Sequence, residues 1–385
     1  FIAHGQHYQS QIDPRTGRVY RLRSREAKLN PLNDLAKLNS DQLIKHLEHP
    51  NKWHRQTAVR LLGKIKEDGF KEKLIDWVNE KKNNLALGGL WALHQSGHLN
   101  EDLCVQFLKH TYPSVRSWTV RFLGDNKSIS ESTAIALRQL AESEKELEVW
   151  SQIASTVQRI EPNKSLPVLG ELLAKASDLE DPYLPLMYWW AIEKHCQKDI
   201  KHVLKLFEDH RIWSQPMIQR EILPRLMRRF ALRGGEKNFL TCAKLLDRAN
   251  TDTQRKALMD GFEQAFEGGS LPSLPDVLIK AIRDTGTASL LLRVRQSEAD
   301  AIREAAKKIA SKKVPMPERI NYVRAFGEIS DQSVLEPLLG IISGPVAPVI
   351  RRAAINACQR FTDEIVGKTI ITSYPLMIAE TRLTA

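Results

Sequence analysis

No stretch of about 18 apolar residues occurs anywhere in the chain, so no segment reads as a membrane-spanning helix. The four cysteines, Cys104, Cys196, Cys242 and Cys358, form no Cys-x-x-Cys pair. That spacing excludes zinc-ribbon, dithiol-redox and covalent haem-attachment motifs. Each cysteine has apolar neighbours at helical spacing, the setting of a small buried core residue. Phosphate-cradling loops are missing too: Gly88-Gly89, Gly234-Gly235 and Gly268-Gly269 lack the required spacing and a preceding strand. Nor does a Gly-x-Ser-x-Gly nucleophile turn occur. The expectation is therefore a segment that is not an enzyme. It has no catalytic, cofactor-binding or metal-binding residue, and no small-molecule substrate is identified.

What is present is charge of both signs. Lys and Arg number 57 against 46 Asp and Glu, a net charge of +11. Such a surplus permits attraction to polyanions, but the interspersed acids also suit an ordinary solvated surface. Histidines crowd one turn at His46, His49 and His54, and His94 and His98 stand four apart. Zinc wants three or four convergent ligands. No Asp, Glu or Cys completes either set, and Gly97 is expected to end the helix before His98. Phe1 is not an initiator methionine and no charged-then-apolar leader follows it, so the chain reads as a piece of a longer protein.

One phrase organises the rest. Arg60-Leu61-Leu62-Gly63 returns as Arg121-Phe122-Leu123-Gly124, with Trp91-Ala92-Leu93-His94 midway, a period of about 31 residues. A period of that length marks stacked helical hairpins, each too small to bury its own apolar face. Ser40 is expected to cap the first helix, and His49-Pro50-Asn51 to end it before a second helix from about Trp53 to Gly63. Leu74 to Val78 pairs with Leu87 to Leu93, and Leu103 to Leu108 with Val115 to Leu123 across Tyr112-Pro113. Later units stretch: 134–160, 166–192, 198–231, 238–268 and 334–358, with 365–385 losing its period. About ten hairpins are expected. Six tryptophans, Trp53, Trp91, Trp118, Trp150, Trp189 and Trp190, fall on second helices, where core packing is expected of them.

Hairpins of this kind, with Arg55, Arg116 and Arg351 early in second helices, resemble HEAT repeats. Those arginines are expected to brace the turns. The fold class expected is all-α, a right-handed α-α superhelix (a HEAT- or armadillo-like solenoid) over residues 25–385. Ahead of it, Thr16-Gly17-Arg18-Val19-Tyr20-Arg21-Leu22 reads as a strand, the β remnant of an upstream domain over residues 1–24.

That strand, the His49-Pro50-Asn51-Lys52-Trp53-His54-Arg55 turn and the stretch from Asp181-Pro182-Tyr183 to Trp189-Trp190-Ala191 together resemble large secreted bacterial proteins of the membrane-bound dehydrogenase type. Such proteins join a sorbosone- or sugar-dehydrogenase-like β-propeller, a HEAT region and a c-type haem domain. The resemblance implies a non-catalytic scaffold or spacer within a periplasmic or extracellular redox protein. Its partners would be a protein or adjacent domains of the same chain. No propeller active site and no Cys-x-x-Cys-His lie in this sequence, so no cofactor is implied for the segment itself.

The alternative is a DNA-binding HEAT-like protein of the alkylpurine DNA glycosylase kind. Arg220, Arg225, Arg228 and Arg229 cluster around Pro224 as candidate polyanion or partner contacts, and Trp189-Trp190 would cradle a base. Acidic runs at Glu142 to Glu148 and Asp178 to Asp181 weigh against nucleic acid as the partner.

Overall fold

The computed structural model describes residue 26 and residues 34–65, 69–176, 181–196, 199–267 and 269–385. The expected strand and the 1–24 remnant lie outside the described residues. Within them the chain is helical throughout, without a strand, and no helix is long and apolar enough to cross a membrane.

The helices follow in hairpin order. Ser40–His46 (α1) precedes Lys52–Leu62 (α2), Lys71–Glu80 (α3) precedes Asn84–Gln95 (α4), and Glu101–Phe107 (α5) precedes Pro113–Leu123 (α6). Glu131–Ser143 (α7) and Leu147–Val157 (α8) come next, then Pro162–Leu173 (α9) and Leu184–Cys196 (α10). The sixth unit is Ile200–Leu206 (α11), the short His210–Trp213 (α12) and, after a π-helical turn at Ile218–Ile222, Leu223–Arg233 (α13). Glu236–Arg248 (α14) and Asp252–Ala265 (α15) follow, then Asp276–Thr285 (α16) and Leu290–Arg295 (α17). The last three units are Ala299–Ala310 (α18) with Met316–Phe326 (α19), Leu335–Ser343 (α20) with Pro348–Cys358 (α21), and Glu364–Ser373 (α22) with Ala379–Arg382 (α23). The described residues thus form eleven units, among them the two over 276–326 that the apolar period did not reveal.

Like stacks on like. Second helices run α2 on α4, α6, α8, α10, α13 and α15 in turn, and again α17 on α19, α21 and α23. First helices stack α5 on α7, α9 and α11, then α14 on α16 and α20 on α22. This two-layer stack is an all-α solenoid, with its core between the layers. The core is not one body. It divides into clusters over Leu43–Val115, Cys104–Leu292 and Val294–Met377. The last division falls where α15 and α17 do not stack. There, Arg295 bridges the gap through the carbonyls of Phe266 (3.2 Å) and Gly269 (2.7 Å).

Local chemistry sets the boundaries. The first helix is capped by Asn39, one residue before Ser40, because Asn39 and Gln42 make a reciprocal capping box. Asn51 caps α2 by accepting from the amide of Trp53 at 2.9 Å. Gly97, at φ +76°, turns the chain out of α4, and the amide of His98 reaches back to the Leu93 carbonyl at 3.0 Å. The expected helix end before His98 is what the structure has. Within the second layer, neighbouring units approach closely at Gly261. A Cβ there would lie 2.1 Å from the Pro224 carbonyl oxygen, so α13 and α15 pack backbone to backbone.

The second-helix arginines brace the turns as expected. Arg55 donates to the carbonyls of His49 (2.8 Å) and Pro50 (2.9 Å), and Arg116 to those of His110 (2.8 Å) and Thr111 (3.1 Å). Arg351 donates to Gly344 at 2.6 Å. Arg116 does more. Its Nε and Nη2 also grip the buried Glu144 of the next unit at 2.7 and 2.8 Å, locking one hairpin's turn to its neighbour. Burial pushes the Glu144 carboxyl up, but hydrogen bonds from Arg116 and from the amides of Lys145 and Glu146 outweigh it and hold it below the usual range.

Two predictions follow from this packing. Glu144→Ala leaves Arg116 without its buried partner and should cost about 3 kcal/mol in urea denaturation. Because the native carboxyl is lowered, the pair's contribution is full above the ordinary value of 4.5 and is lost as pH falls through the native value. The gap between wild type and Glu144→Ala should therefore narrow below that pH; a gap that widens on acidification would contradict the assignment. Gly261→Ala should destabilise by about 2 kcal/mol or more through backbone overpacking, read as a lowered thermal midpoint.

Candidate functional site: a basic second-helix face

The two layers differ in charge. The helices of the second layer, with the π turn, carry 20 Lys or Arg against 8 Asp or Glu; those of the first layer carry 16 against 17. Among the described helices, the positive surplus therefore resides on the second layer. The repeated phrase is its clearest expression. Arg60, Trp91 and Arg121 occupy one place in the repeated phrase on α2, α4 and α6, in the last turn or so of each helix. Arg60 and Arg121 are exposed and Trp91 is half-buried.

Aromatic side chains fill the spaces between these cations. Trp91 and Trp118 meet edge to face at 5.1 Å, and the Arg121 guanidinium lies 5.0 Å above the Trp118 ring. His94 stacks flat on Phe122 at 3.8 Å. Below them Arg159 holds Asp125 at 2.7 Å. Trp118 and Phe122 thus each carry a guanidinium or an imidazole of the same layer on one face.

The four arginines around Pro224 lie on this layer. Pro224 has no amide to continue the helical ladder, which accounts for the π turn at Ile218–Ile222 just before it. Leu226, Met227 and Phe230 point into the core, which leaves Arg225, Arg228 and Arg229 toward the opposite side of α13. Arg225 pairs with Glu221, Arg220 meets Glu221 at 3.3 Å, and Arg229 meets Glu193 of α10 at 3.2 Å. Arg228 is exposed and, among the described residues, makes no ion pair. These contacts hold the Glu221 carboxyl below its usual range, with the Arg225 hydrogen bond as the main cause.

The expectation of core packing for six tryptophans needs correction at two of them. Trp53 is 53% exposed and Trp190 52%. Trp189 and Trp190 are neighbours on one helix and so point in different directions. Trp189 enters the core, while Trp190 emerges on the basic face in the register of Trp91, and the pair forms no cradle. The remaining indoles are buried or half-buried; that of Trp150 donates to the Glu144 carbonyl at 3.1 Å.

Other candidates resolve simply. All four cysteines are buried, and burial pushes the thiols of Cys104, Cys196 and Cys242 up to about 12 and that of Cys358 to about 11. His49 and His54 stack ring on ring at 3.9 Å, with His46 at 5.9 Å from His49. His46 Nδ1 lies 2.9 Å from the Gln42 backbone carbonyl, and His49 Nδ1 accepts from the Asn51 amide at 3.0 Å, so these ring nitrogens are engaged with backbone. Among the described residues, no three metal-ligating side chains are grouped to hold an ion. In the sequence Glu144 stands out only as part of an acidic run, and Glu171 does not stand out at all. Glu171 takes Arg138 of one unit and Arg211 of another, and only a known packing register could have matched residues so far apart in the chain.

No protein-family model matches the chain, and no curated protein matches its sequence. Among solved structures, an engineered protein from a structural genomics consortium is similar over 90% of this chain and 87% of its own, at 14% identity and a TM-score of 0.31. A designed armadillo repeat protein is similar over 84% of this chain and 100% of its own, at 14% identity and a TM-score of 0.17. Scores of this size carry no argument, and the solenoid rests on the chain's own stacking.

The contrast between buried and exposed indoles gives a direct check. Trp213→Ala removes a ring that is 3% exposed and donates to the Phe207 carbonyl at 2.8 Å; it should cost about 3–5 kcal/mol in chemical denaturation. Trp190→Ala should cost under about 1 kcal/mol.

Proposed function

We propose that this chain is a non-catalytic scaffold: a helical-repeat interaction module whose second-helix layer is the working surface. A solenoid stacks its units along one dimension and so presents a long continuous face. The observation that carries the reading is the asymmetry between the layers, with the cationic surplus and the exposed Trp190 on one side and balanced charge on the other. Random surface variation would not sort charge by layer. A face that must meet something else would.

The finer reading places the module inside a secreted dehydrogenase-like redox protein, between a propeller and a c-type haem domain. Its support is the sequence resemblance at Thr16 to Leu22, His49 to Arg55 and Asp181 to Ala191. The last of these has a clear local role, because Asp181 caps the entry to α10 through the amides of Tyr183 (2.8 Å) and Leu184 (3.0 Å). In that setting the solenoid spaces an electron donor from its acceptor and offers its face to a protein or a neighbouring domain. Periplasmic or extracellular location belongs to this finer reading, as does the absence of a cofactor in the segment.

The test is the reading frame on either side of the segment. A propeller-like repeat ahead of Phe1 and a Cys-x-x-Cys-His after Ala385 are expected. A frame that opens and closes at the segment with neither would refute the redox context and leave the scaffold reading to be judged by binding alone.

A further inference from the structure

We infer that the second-helix face binds an extended, acidic polypeptide segment carrying spaced apolar residues. The inference rests on the scaffold reading and names the class of partner. Three features of the face carry it.

The first is charge: the surplus of Lys and Arg lies on the second helices, with Arg60, Arg121 and Arg228 exposed along the stack. Their complement is an anion. The second is the condition of the aromatic rings. Trp91 and Trp118 pack edge to face, Arg121 covers Trp118 and His94 covers Phe122. Single-stranded nucleic acid needs a run of open ring faces on which successive bases stack, and on Trp118 and Phe122 a guanidinium and an imidazole already hold one face. The half-buried Trp91 and Trp118 and the exposed Trp190 leave apolar surface that suits aliphatic side chains. The third is the distribution of acids on the same face. Glu221 and Glu193 pair with Arg225 and Arg229 beside the exposed Arg228, and Glu380 pairs with Arg352, so carboxylates lie among the cations around α13 and α21. A nucleic-acid backbone carries a phosphate every few ångströms and would meet those carboxylates. A polypeptide can place its acids only where cations wait.

The stacking sets the spacing. Packed helices lie about 8–10 Å apart, and an extended chain advances about 3.3 Å per residue. A segment crossing the second helices therefore meets a new helix about every third residue. Arg60 and Arg121 lie on α2 and α6 with Trp91 on the helix between them, so its acids should recur about every sixth residue, with apolar residues between them over the Trp91 and Trp190 positions.

The experiment uses the whole chain and three fluorescent probes in anisotropy titrations at low and at physiological salt. One probe is a peptide of about 24 residues repeating Glu-Ser-Ser-Leu-Ser-Ser, the second has the same composition with its glutamates in one block, and the third is an oligothymidylate of equal charge. The spaced peptide should bind tightest and weaken with salt. Combined Arg60→Glu, Arg121→Glu and Arg228→Glu should weaken it at least tenfold. Combined Lys237→Glu, Lys244→Glu and Lys280→Glu, on exposed first-layer positions of α14 and α16, should change it less than twofold. Arginine-to-glutamine changes at the same three second-layer sites, with unchanged circular dichroism, guard against loss of fold. Tighter binding of the oligothymidylate overturns the inference in favour of nucleic acid. Equal losses in both triple variants, equal binding of the two peptides, or no peptide binding at low salt also overturn it. A missing propeller and haem motif would leave this result untouched, so the two failures are distinguishable.

Discussion

Every property of this molecule depends on burial between like helices of successive hairpins. A single pair of helices of this length has too little apolar surface to fold alone, and its neighbours complete the core on both sides. That requirement dictates the two layers, the recurrence of Leu and Ala at fixed places, and the closeness of α13 and α15 at Gly261. It also dictates what the second helices cannot do: their inner sides are committed to packing, so partner contacts must use the outer rows. Polar locks then set the register between units. Arg116 on Glu144 and Glu171 between Arg138 and Arg211 are buried or half-buried ties. Charges in that position are expensive to strand, which makes slippage between hairpins costly.

The same geometry explains why charge can be sorted by layer at all. Successive second helices present the same register outward, so one position repeated every unit becomes a row along the stack. Arg60, Trp91, Arg121 and Trp190 are such a row. The row looks like a repeat signature in the sequence and becomes a surface in three dimensions. The break between α15 and α17 interrupts its packing, yet Arg295 keeps the chain tied across that gap through Phe266 and Gly269.

Much of this architecture was legible in the sequence because hairpin order needs only local signals: apolar period, Asn or Pro before a helix, Gly after it. The units over 52–62, 84–95 and 113–123 carry all of these. Between 276 and 326 the helices are short or alanine-rich, and the period of large apolar residues fails there although helices form. Capping by Asn39 in place of Ser40 turned on a reciprocal bond with Gln42 that composition alone does not reveal. The face was partly legible. The arginines around Pro224 and the repeated phrase were visible, but their common layer and the carboxylates that pair with three of the four required knowing which helices neighbour one another. Trp189 and Trp190 were indistinguishable as letters and differ only by their rotation about α10.

The central claim is that positive potential is confined to one layer of the solenoid. Solvent paramagnetic relaxation, recorded with matched cationic and anionic nitroxides, reads near-surface potential residue by residue. Stronger relaxation by the anionic probe is expected along α2, α6, α13, α19 and α21, with the two probes nearly equal along α3, α7, α14 and α20. Equal potentials on the two layers would contradict it.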